Sequence, residues 1–536
     1  MATKLDIQEK DGFLIMNDFP DNCIFNNVKT GCGATTIALT NNENYIIAVP
    51  TTELIENKCY PVKGINGNMK FWKRSERKAG LSPVISNLFG LYGNFTYELK
   101  QKLKDYLSTT GIKKIICTYD KIDKLVEFIN PKEFKLLIDE YHNFLKQYSF
   151  RNKAIDGVLA HFKEFKSYCF ISATPIPEVL KPTIFNGIPE HIADWNEVDD
   201  ITVYPYHTDK PYMIAAQFIK VYQTKGFLNV NGKESKEAYF FINSVTEIKT
   251  ILKQTQLTDD DYRIICADND KNRMTLKGYT ISSSTDTPKK FNFITSKSFE
   301  GVDFHSESGI CFVVSNVQNR HTLVSIDMDI PQIAGRIRTK TNPFRNKIVH
   351  IFNTKPTDHY TTYEEMEHIV QDEIKAAQER ADLLNSSNIS ESAIKQQVNE
   401  IHKIGNESYL SYQDGKFVVN DMIGKLQLYS FLITNVVYNS DKSLRDTYGQ
   451  NRMIVTKGKW HIAPEKFVKD LIKEPTFRDL HKRYCEIMKN PMTFNLETIE
   501  IEHKYPILGR AYRKLGIQEL KRLRTIKSIK LALGEI

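Results

Sequence analysis

The sequence predicts an α/β protein: two tandem parallel-sheet domains followed by a mainly α-helical C-terminal region. Three observations predict it. Short apolar runs rich in Ile, Val, Phe and Tyr alternate with longer helical patterns, as strands buried on both faces of a parallel sheet do. The alternation occurs twice, on either side of a proline-rich connection. Near residue 356 it stops, and polar helical sequence takes over.

The first strand series is YIIAV (45–49), KKIICTY (113–119), FKLLID (134–139) and SYCFISA (167–173). The second is AYFFIN (238–243), YRIICA (262–267), FNFITS (291–296), ICFVVS (310–315) and KIVHIF (347–352). Between them, roughly 178–212, stand Pro182, Pro189, Pro205 and Pro211, with Pro177 at the edge, which marks an irregular connection. Beyond 356 a long helical stretch from residue 364 breaks at LNSSNISES and helix resumes. The expected domains are therefore 1–205, 206–356 and a basic helical region 357–536. A chain of 536 residues exceeds one hydrophobic core and fits about three domains.

Composition narrows the class. With 41% hydrophobic and 26% charged residues the chain is neither disordered nor fibrous. No stretch approaches the roughly 18 apolar residues of a membrane span. The N-terminus, MATKLDIQEKDGF, lacks the basic-then-apolar order of a secretory signal, so the expected location is the cytoplasm, or a host cytoplasm if the chain is viral. The eight cysteines form no C-x-x-C pair, and several sit in apolar runs. Reduced, buried thiols are expected, with no cysteine metal site. Of the net charge of +8, residues 441–536 carry +9, from 21 Lys/Arg against 12 Asp/Glu, leaving −1 for the rest. A localised positive field suits a phosphate-bearing partner, although a charge run also reads as a solvated helix face.

Two segments carry phosphate chemistry. NNVKTGCGATTIAL (26–39) joins an expected strand to an expected helix through a glycine-rich turn, whose backbone N–H groups can approach phosphates. Against G-x-x-x-x-G-K-[ST], Gly33 and Thr35 fit, Val28 takes the first glycine position, and Ala34 takes the lysine position. The candidate nucleotide ligands here are Lys29, Thr30, Gly31, Cys32, Gly33, Ala34, Thr35 and Thr36. By itself the segment reads equally as a glycine turn capping a helix. FKLLIDEYHNF (134–144) brings Asp139 and Glu140 to the C-terminal edge of a strand, where open α/β sheets bind ligands. Asp139 would hold Mg²⁺ together with Thr35, and Glu140 would orient an attacking water. Two acids alone would read as a polar strand end.

Their order with five further segments is more specific. YIIAVPTTELIENK (45–58), SATPIP (172–177), FFINSVTEIKTIL (240–252), TSKSFEGVDF (295–304) and PQIAGRIRT (331–339) follow in sequence. Over roughly 24–355 the chain thus resembles the superfamily 2 DExH/DEAD-like helicases. The resemblance implies two RecA-like folds with ATP and Mg²⁺ between them, and a single nucleic-acid strand, DNA ahead of RNA, gripped across both. It implies nucleic-acid contacts from Pro50, Thr51, Thr52, Thr118, Asn243, Thr295 and Ser296, although Thr51, Thr52, Ser172 and Thr174 also suit turn or cap hydroxyls. Glu300, Gly301 and Asp303 would face the cleft, Gln332 and Arg336 would act on the transferring phosphoryl group, and Arg338 would join the nucleotide ligands. The G-R-I-R ending resembles viral and phage origin-binding-type helicases more than DEAD-box RNA helicases.

Two positions depart from the pattern. Ala34 removes the phosphate-binding lysine, and Thr339 occupies the final arginine position of the last motif, with Arg338 one residue earlier. Lys29 stands where deviant P-loop ATPases carry a second lysine and is a candidate to restore the charge. The tail, residues 505–536, spaces Leu515, Leu520, Leu523, Ile526 and Ile529 helically among Lys514, Lys521, Arg522, Arg524, Lys527 and Lys530. It reads as a phosphate-backbone contact or as a docked amphipathic helix. Three readings stay open: an active motor, a non-hydrolysing nucleic-acid scaffold, and a replication initiator. The last needs a sequence-reading module, and no helix-turn-helix is recognisable between 400 and 536.

Overall fold

The computed structural model describes residues 2–535 except 62, 66–67, 71, 73, 300, 357–360, 387–389, 405–407, 414, 459–476, 489–497, 499–500 and 503–504. It divides into two units, Met1–His461 and Ile462–Ile536.

The first unit holds both sheets. The order in the first is Thr3–Asp6, Glu190–Asp194, Cys23–Asn26, Ser167–Ser172, Lys135–Asp139, Tyr45–Val49, Lys114–Thr118, Leu88–Leu91 and Gly80–Leu81, with only the last pair antiparallel. Tyr45–Val49 and Lys114–Thr118 are buried throughout. That burial is why they read as unbroken apolar runs rather than alternating ones. The register aligns Asp139 with Ile171, Ser172 with Asn26, and Thr118 with Val49. Parallel strands in this register deliver the chain after each motif strand to the same edge of the sheet.

The second sheet is parallel throughout, in the order Tyr262–Ile265, Phe291–Ile294, Glu237–Phe241, Gly309–Ser315, Lys347–Phe352, Thr202–His207 and Ile454–Val455. Two tandem RecA-like parallel-sheet domains and a mainly helical C-terminal region are therefore the fold, as the sequence predicts. The chain passes from the first sheet to the second between Asp194 and Thr202, a stretch without proline. The expected irregular connection 178–212 instead holds 3₁₀ turns at Glu178–Leu180 and Thr183–Phe185, strand Glu190–Asp194, strand Thr202–His207 with Pro205 inside it, and the start of helix Pro211–Lys225.

Within the first unit, the described chain from Tyr363 to Val455 is built into both domains. On helix Tyr363–Ser386, Val370 joins Met422, Ile423 and Leu428 of helix Met422–Phe431 in the core of the first domain. Further on, Val437, Tyr438, Leu444 and Tyr448 enter the core of the second. A hairpin, Leu410–Gln413 with Lys416–Val419, interrupts the helices. All eight cysteines are free and buried. Among the described residues no helix is long and apolar enough to cross a membrane.

In the second unit, helices Phe477–Ile487, Pro506–Arg522 and Ile526–Leu533 pack around Leu480, Tyr484, Leu508, Ala511, Leu520 and Ile529. The apolar stripe of the tail is split between two helices. Gly516 breaks the first at φ 74°, ψ 168°, and Thr525 starts the second with a capping box to Ser528. Leu520 and Ile529 are buried as the stripe implies, while Ile526 lies exposed.

One polar cluster fastens the late chain to the second domain. The fully buried His350 places Nδ1 2.6 Å from the Tyr448 hydroxyl and Nε2 3.0 Å from Ser315 Oγ. Burial holds this imidazole neutral by lowering its pKa to about 3. In the unfolded chain it titrates near 6.5, so between about 6.5 and about 3 the unfolded state binds the extra proton and stability is lost as the pH is lowered. We predict that His350→Asn costs about 1–3 kcal/mol at pH 7. The variant should also lose the part of the acid slope, about 1.4 kcal/mol per pH unit, that one proton contributes. Denaturant unfolding at pH 7 and 5 checks this, and equal slopes in the two proteins would contradict it.

Candidate active site

The motifs converge on the cleft between the two sheets. Strand Cys23–Asn26 runs into the turn that carries Val28 to Gly33, and helix Ala34–Thr40 leaves it. Gly33 sits at φ 80° and Gly31 at φ 67°. Val28 sits at φ 61°, a left-handed conformation that is rare for a β-branched residue. The turn thus keeps a backbone shape suited to glycine at the position where the phosphate-loop pattern has one.

Thr35 Oγ1 donates to Asp139 Oδ2 at 2.9 Å, joining the first turn of that helix to the end of strand Lys135–Asp139. Burial pushes the Asp139 carboxyl above the usual carboxylate range, opposed by the Thr35 hydrogen bond and the positive charge of Lys58. The Thr35 hydroxyl beside the buried Asp139 carboxyl suits a hard cation such as Mg²⁺, which takes one or two protein ligands and completes its shell with phosphate and water. Among the described residues no cluster of three metal-ligating side chains exists, which such a site does not require.

Glu140, also at positive φ (54°), receives the first contact across the cleft. Gln332 Nε2, on helix Asp329–Ala334 of the second domain, donates to Glu140 Oε2 at 3.0 Å and to Thr174 Oγ1 at 3.2 Å. Arg336 Nη2 donates to Gln332 Oε1 at 3.1 Å, and its other donors reach Gln332 O and Val302 O. Arg336 is buried, and Gln332, to which it is bonded, touches Glu140 directly. Arg338 crosses as well: its Nη1 donates to Thr30 O at 3.1 Å, and its Nε pairs with Asp303 Oδ1 at 2.6 Å. A short backbone pairing of Phe304 with Ile337 sets these two side chains next to each other. Lys29 turns toward an N-terminal hairpin, Gln8–Lys10 with Phe13–Ile15, its Nζ 3.4 Å from Glu9 Oε2 and 4.2 Å above the Trp195 ring. Glu300 lies outside the described residues.

Sequence reasoning gave no role to several residues here. His142 is buried, with Nδ1 2.8 Å from Ser172 Oγ and 3.4 Å from Glu140 Oε2. Its signal was the fourth letter of DEYH. Helix Thr52–Cys59 ties the domains together. Glu53 accepts from Ser298 Oγ at 2.7 Å, Asn57 donates to Gly301 O at 2.8 Å, and Arg77 joins Glu56 to Ser283. The bonds to Ser298, Gly301 and Ser283 each span more than two hundred residues of sequence, and no local pattern announces them.

Next to the cleft a groove of about 1230 Å³ is lined by Thr51, Asn243, Thr295 and Ser296 from the two domains. The cations Arg151, Lys271, Lys297 and Arg320 share it, and Leu426 to Asn435 form a further wall. Pro50, Thr52 and Thr118 are not among its lining residues. Thr51 Oγ1 accepts from Leu54 N at 3.4 Å and so also caps its helix.

No protein-family model matches the chain, and no curated protein matches it by sequence. By structure it is similar to the DEAD-box helicase Mss116 bound to ssRNA and UDP-BeF, at 13% identity and a TM-score of 0.38, over 82% of this chain and 90% of that one. It is also similar to S. cerevisiae Dbp5 bound to RNA and ADP BeF3, at 11% identity and a TM-score of 0.39, over 66% and 83%. A third is RecG bound to a three-way DNA junction, at 15% and 0.35, over 77% and 48%. These likenesses are low, and the fold stated above stands on the chain's own strand order and register.

The left-handed Val28 yields a prediction. A β-branched residue there costs roughly 1–2 kcal/mol of backbone strain, which glycine relieves. Val28→Gly should therefore leave unfolding stability within about 1 kcal/mol of wild type, because strain relief offsets lost burial and added chain entropy. A loss above about 2 kcal/mol in denaturant unfolding would mean the turn does not hold this conformation.

Proposed function

We propose that the chain is an ATP-dependent motor of the superfamily 2 helicase class, coupling hydrolysis between its two sheet domains to movement along, or separation of, nucleic-acid strands. The observation that carries this reading is the contact of Gln332 with both Glu140 and Thr174. A carboxylate suited to orienting water on one domain is touched by an amide of the other. Glu140 is then positioned for hydrolysis only while the domains are together.

In this reading the turn at Lys29–Thr36 holds the triphosphate through its backbone N–H groups, with Arg338, Gly301 and Asp303 facing it from the second domain. Thr35 and Asp139 hold Mg²⁺, which screens phosphate charge when bound. Glu140 orients the attacking water and takes up its proton. Arg336 fixes Gln332 against Glu140, and His142 and Ser172 fix Glu140 from its own side. The groove beside the cleft takes the strand, with Thr51, Asn243, Thr295 and Ser296 against its backbone and the surrounding cations supplying salt-sensitive affinity. Pro50, Thr52 and Thr118 do not line the groove and have no contact in this reading. DNA is the favoured polymer, on the likeness of the G-R-I-R ending to origin-binding-type helicases, with the basic C-terminal unit as a second contact.

The test is phosphate release with and without single-stranded DNA or RNA. Wild type should turn over ATP faster with a strand present. Glu140→Gln should lower turnover at least about a hundredfold while nucleotide still binds. A wild-type protein that binds strand but hydrolyses no ATP with either polymer would overturn the motor reading in favour of a scaffold.

A further inference from the structure

Ala34 leaves the phosphate loop without the cation that such loops carry. A triphosphate brings about four negative charges, and backbone amides with one Mg²⁺ leave part of that charge unbalanced. Two of the cations near the turn are already engaged. Lys29 is engaged by Glu9 and the face of Trp195. Arg336 is buried in its own domain against Gln332 and Val302. Lys58, on helix Thr52–Cys59 of the first domain, lends positive charge to both Asp139 and Asp303 and is the rival that the experiment below tests.

Arg338 stands on the turn itself. Its guanidinium donates to Thr30 O, and a β-carbon built on Gly31 would fall inside that group. Glycine at 31 is therefore what admits it. A guanidinium carries five N–H donors, and here one goes to Thr30 O and one to Asp303. Three have no partner among the described residues. Asp303 holds the group in place from the same domain, and the backbone pairing of Phe304 with Ile337 fixes the separation of the two side chains.

We propose that Arg338, reaching in from the second domain, supplies the positive charge that the phosphate loop lacks at Ala34. The proposal rests on the nucleotide-binding reading above. It has a consequence that a loop lysine does not: binding of the triphosphate, and not only its hydrolysis, requires contact between the domains. It also gives a physical use to the displacement of this arginine by one residue from the usual final position, now Thr339. A planar fork can keep Asp303 and Thr30 while presenting its other edge to phosphate, which a lysine at 338 cannot do.

The experiment measures the affinity of the full chain for Mg·ATP by displacement of a fluorescent ATP analogue, independent of turnover. Arg338→Ala should weaken binding at least about tenfold, the scale of one lost charge-assisted contact. Adding Ala34→Lys to that variant should restore affinity to within about threefold of wild type. Wild-type affinity in Arg338→Ala would overturn the proposal. Failure of Ala34→Lys to rescue it would do the same, because the arginine would then act through architecture alone. Loss of binding in Lys29→Ala or Lys58→Ala with Arg338→Ala unaffected would assign the charge elsewhere. A wild type that binds no nucleotide sinks the motor reading itself, whereas one that binds normally and ignores Arg338→Ala sinks only this inference.

Discussion

The arrangement depends on one constraint: parallel strands deliver their C-terminal ends to one edge of the sheet. Asn26, Val49, Thr118, Asp139 and Ser172 end neighbouring strands in register, so the turn at 27–33, the acidic pair and the S-A-T segment share one rim. An antiparallel sheet would send alternate motifs to opposite edges. Once the rim exists, a second sheet domain facing it can complete a site with very few side chains. Here those are Gln332 on Glu140 and Arg338 on Thr30.

Charge in this cleft is arranged across domains rather than within them. The first domain contributes the buried Asp139 and the acidic Glu140, and its nearby Lys29 is already paired with Glu9. The second contributes Arg338 and the amide of Gln332. Helix Thr52–Cys59 adds a polar fastening through Glu53 to Ser298, Asn57 to Gly301 and, by way of Glu56, Arg77 to Ser283. Hydrogen bonds to charged groups are worth roughly 1.5–3 kcal/mol each, so a handful is enough to hold the domains together, and the loss of any one can change how firmly they close.

What the sequence made legible follows from what leaves a local trace. Strands such as Tyr45–Val49 and Gly309–Ser315 read clearly because burial on both faces demands unbroken apolar residues. Ile454–Val455 did not: two exposed residues completing a sheet edge carry no pattern. The break at Gly516 was hidden because the apolar spacing runs on through it, and only the backbone conformation reveals the split. In the site, motif order picked out Asp139, Glu140, Gln332 and Thr35, all of which meet at the cleft. It could not give the direction of side chains. Arg336 and Arg338 lie two residues apart in a segment paired with Phe304, and their opposite destinations depend on Gln332, Val302 and Asp303. Lys29 points to Glu9 because the N-terminal hairpin lies over the turn, a tertiary placement with no signature in the loop itself.

The central claim is that the two domains jointly enclose a triphosphate. The most direct measurement is an experimental structure of the full chain with Mg²⁺ and a non-hydrolysable ATP analogue. The account predicts the phosphates against the backbone of Gly31 to Thr36, the metal beside Thr35 and Asp139, and the Arg338 guanidinium on the phosphate chain. Nucleotide bound to the first domain alone with Arg338 turned into solvent, or a cleft still closed and empty at saturating analogue, would contradict it.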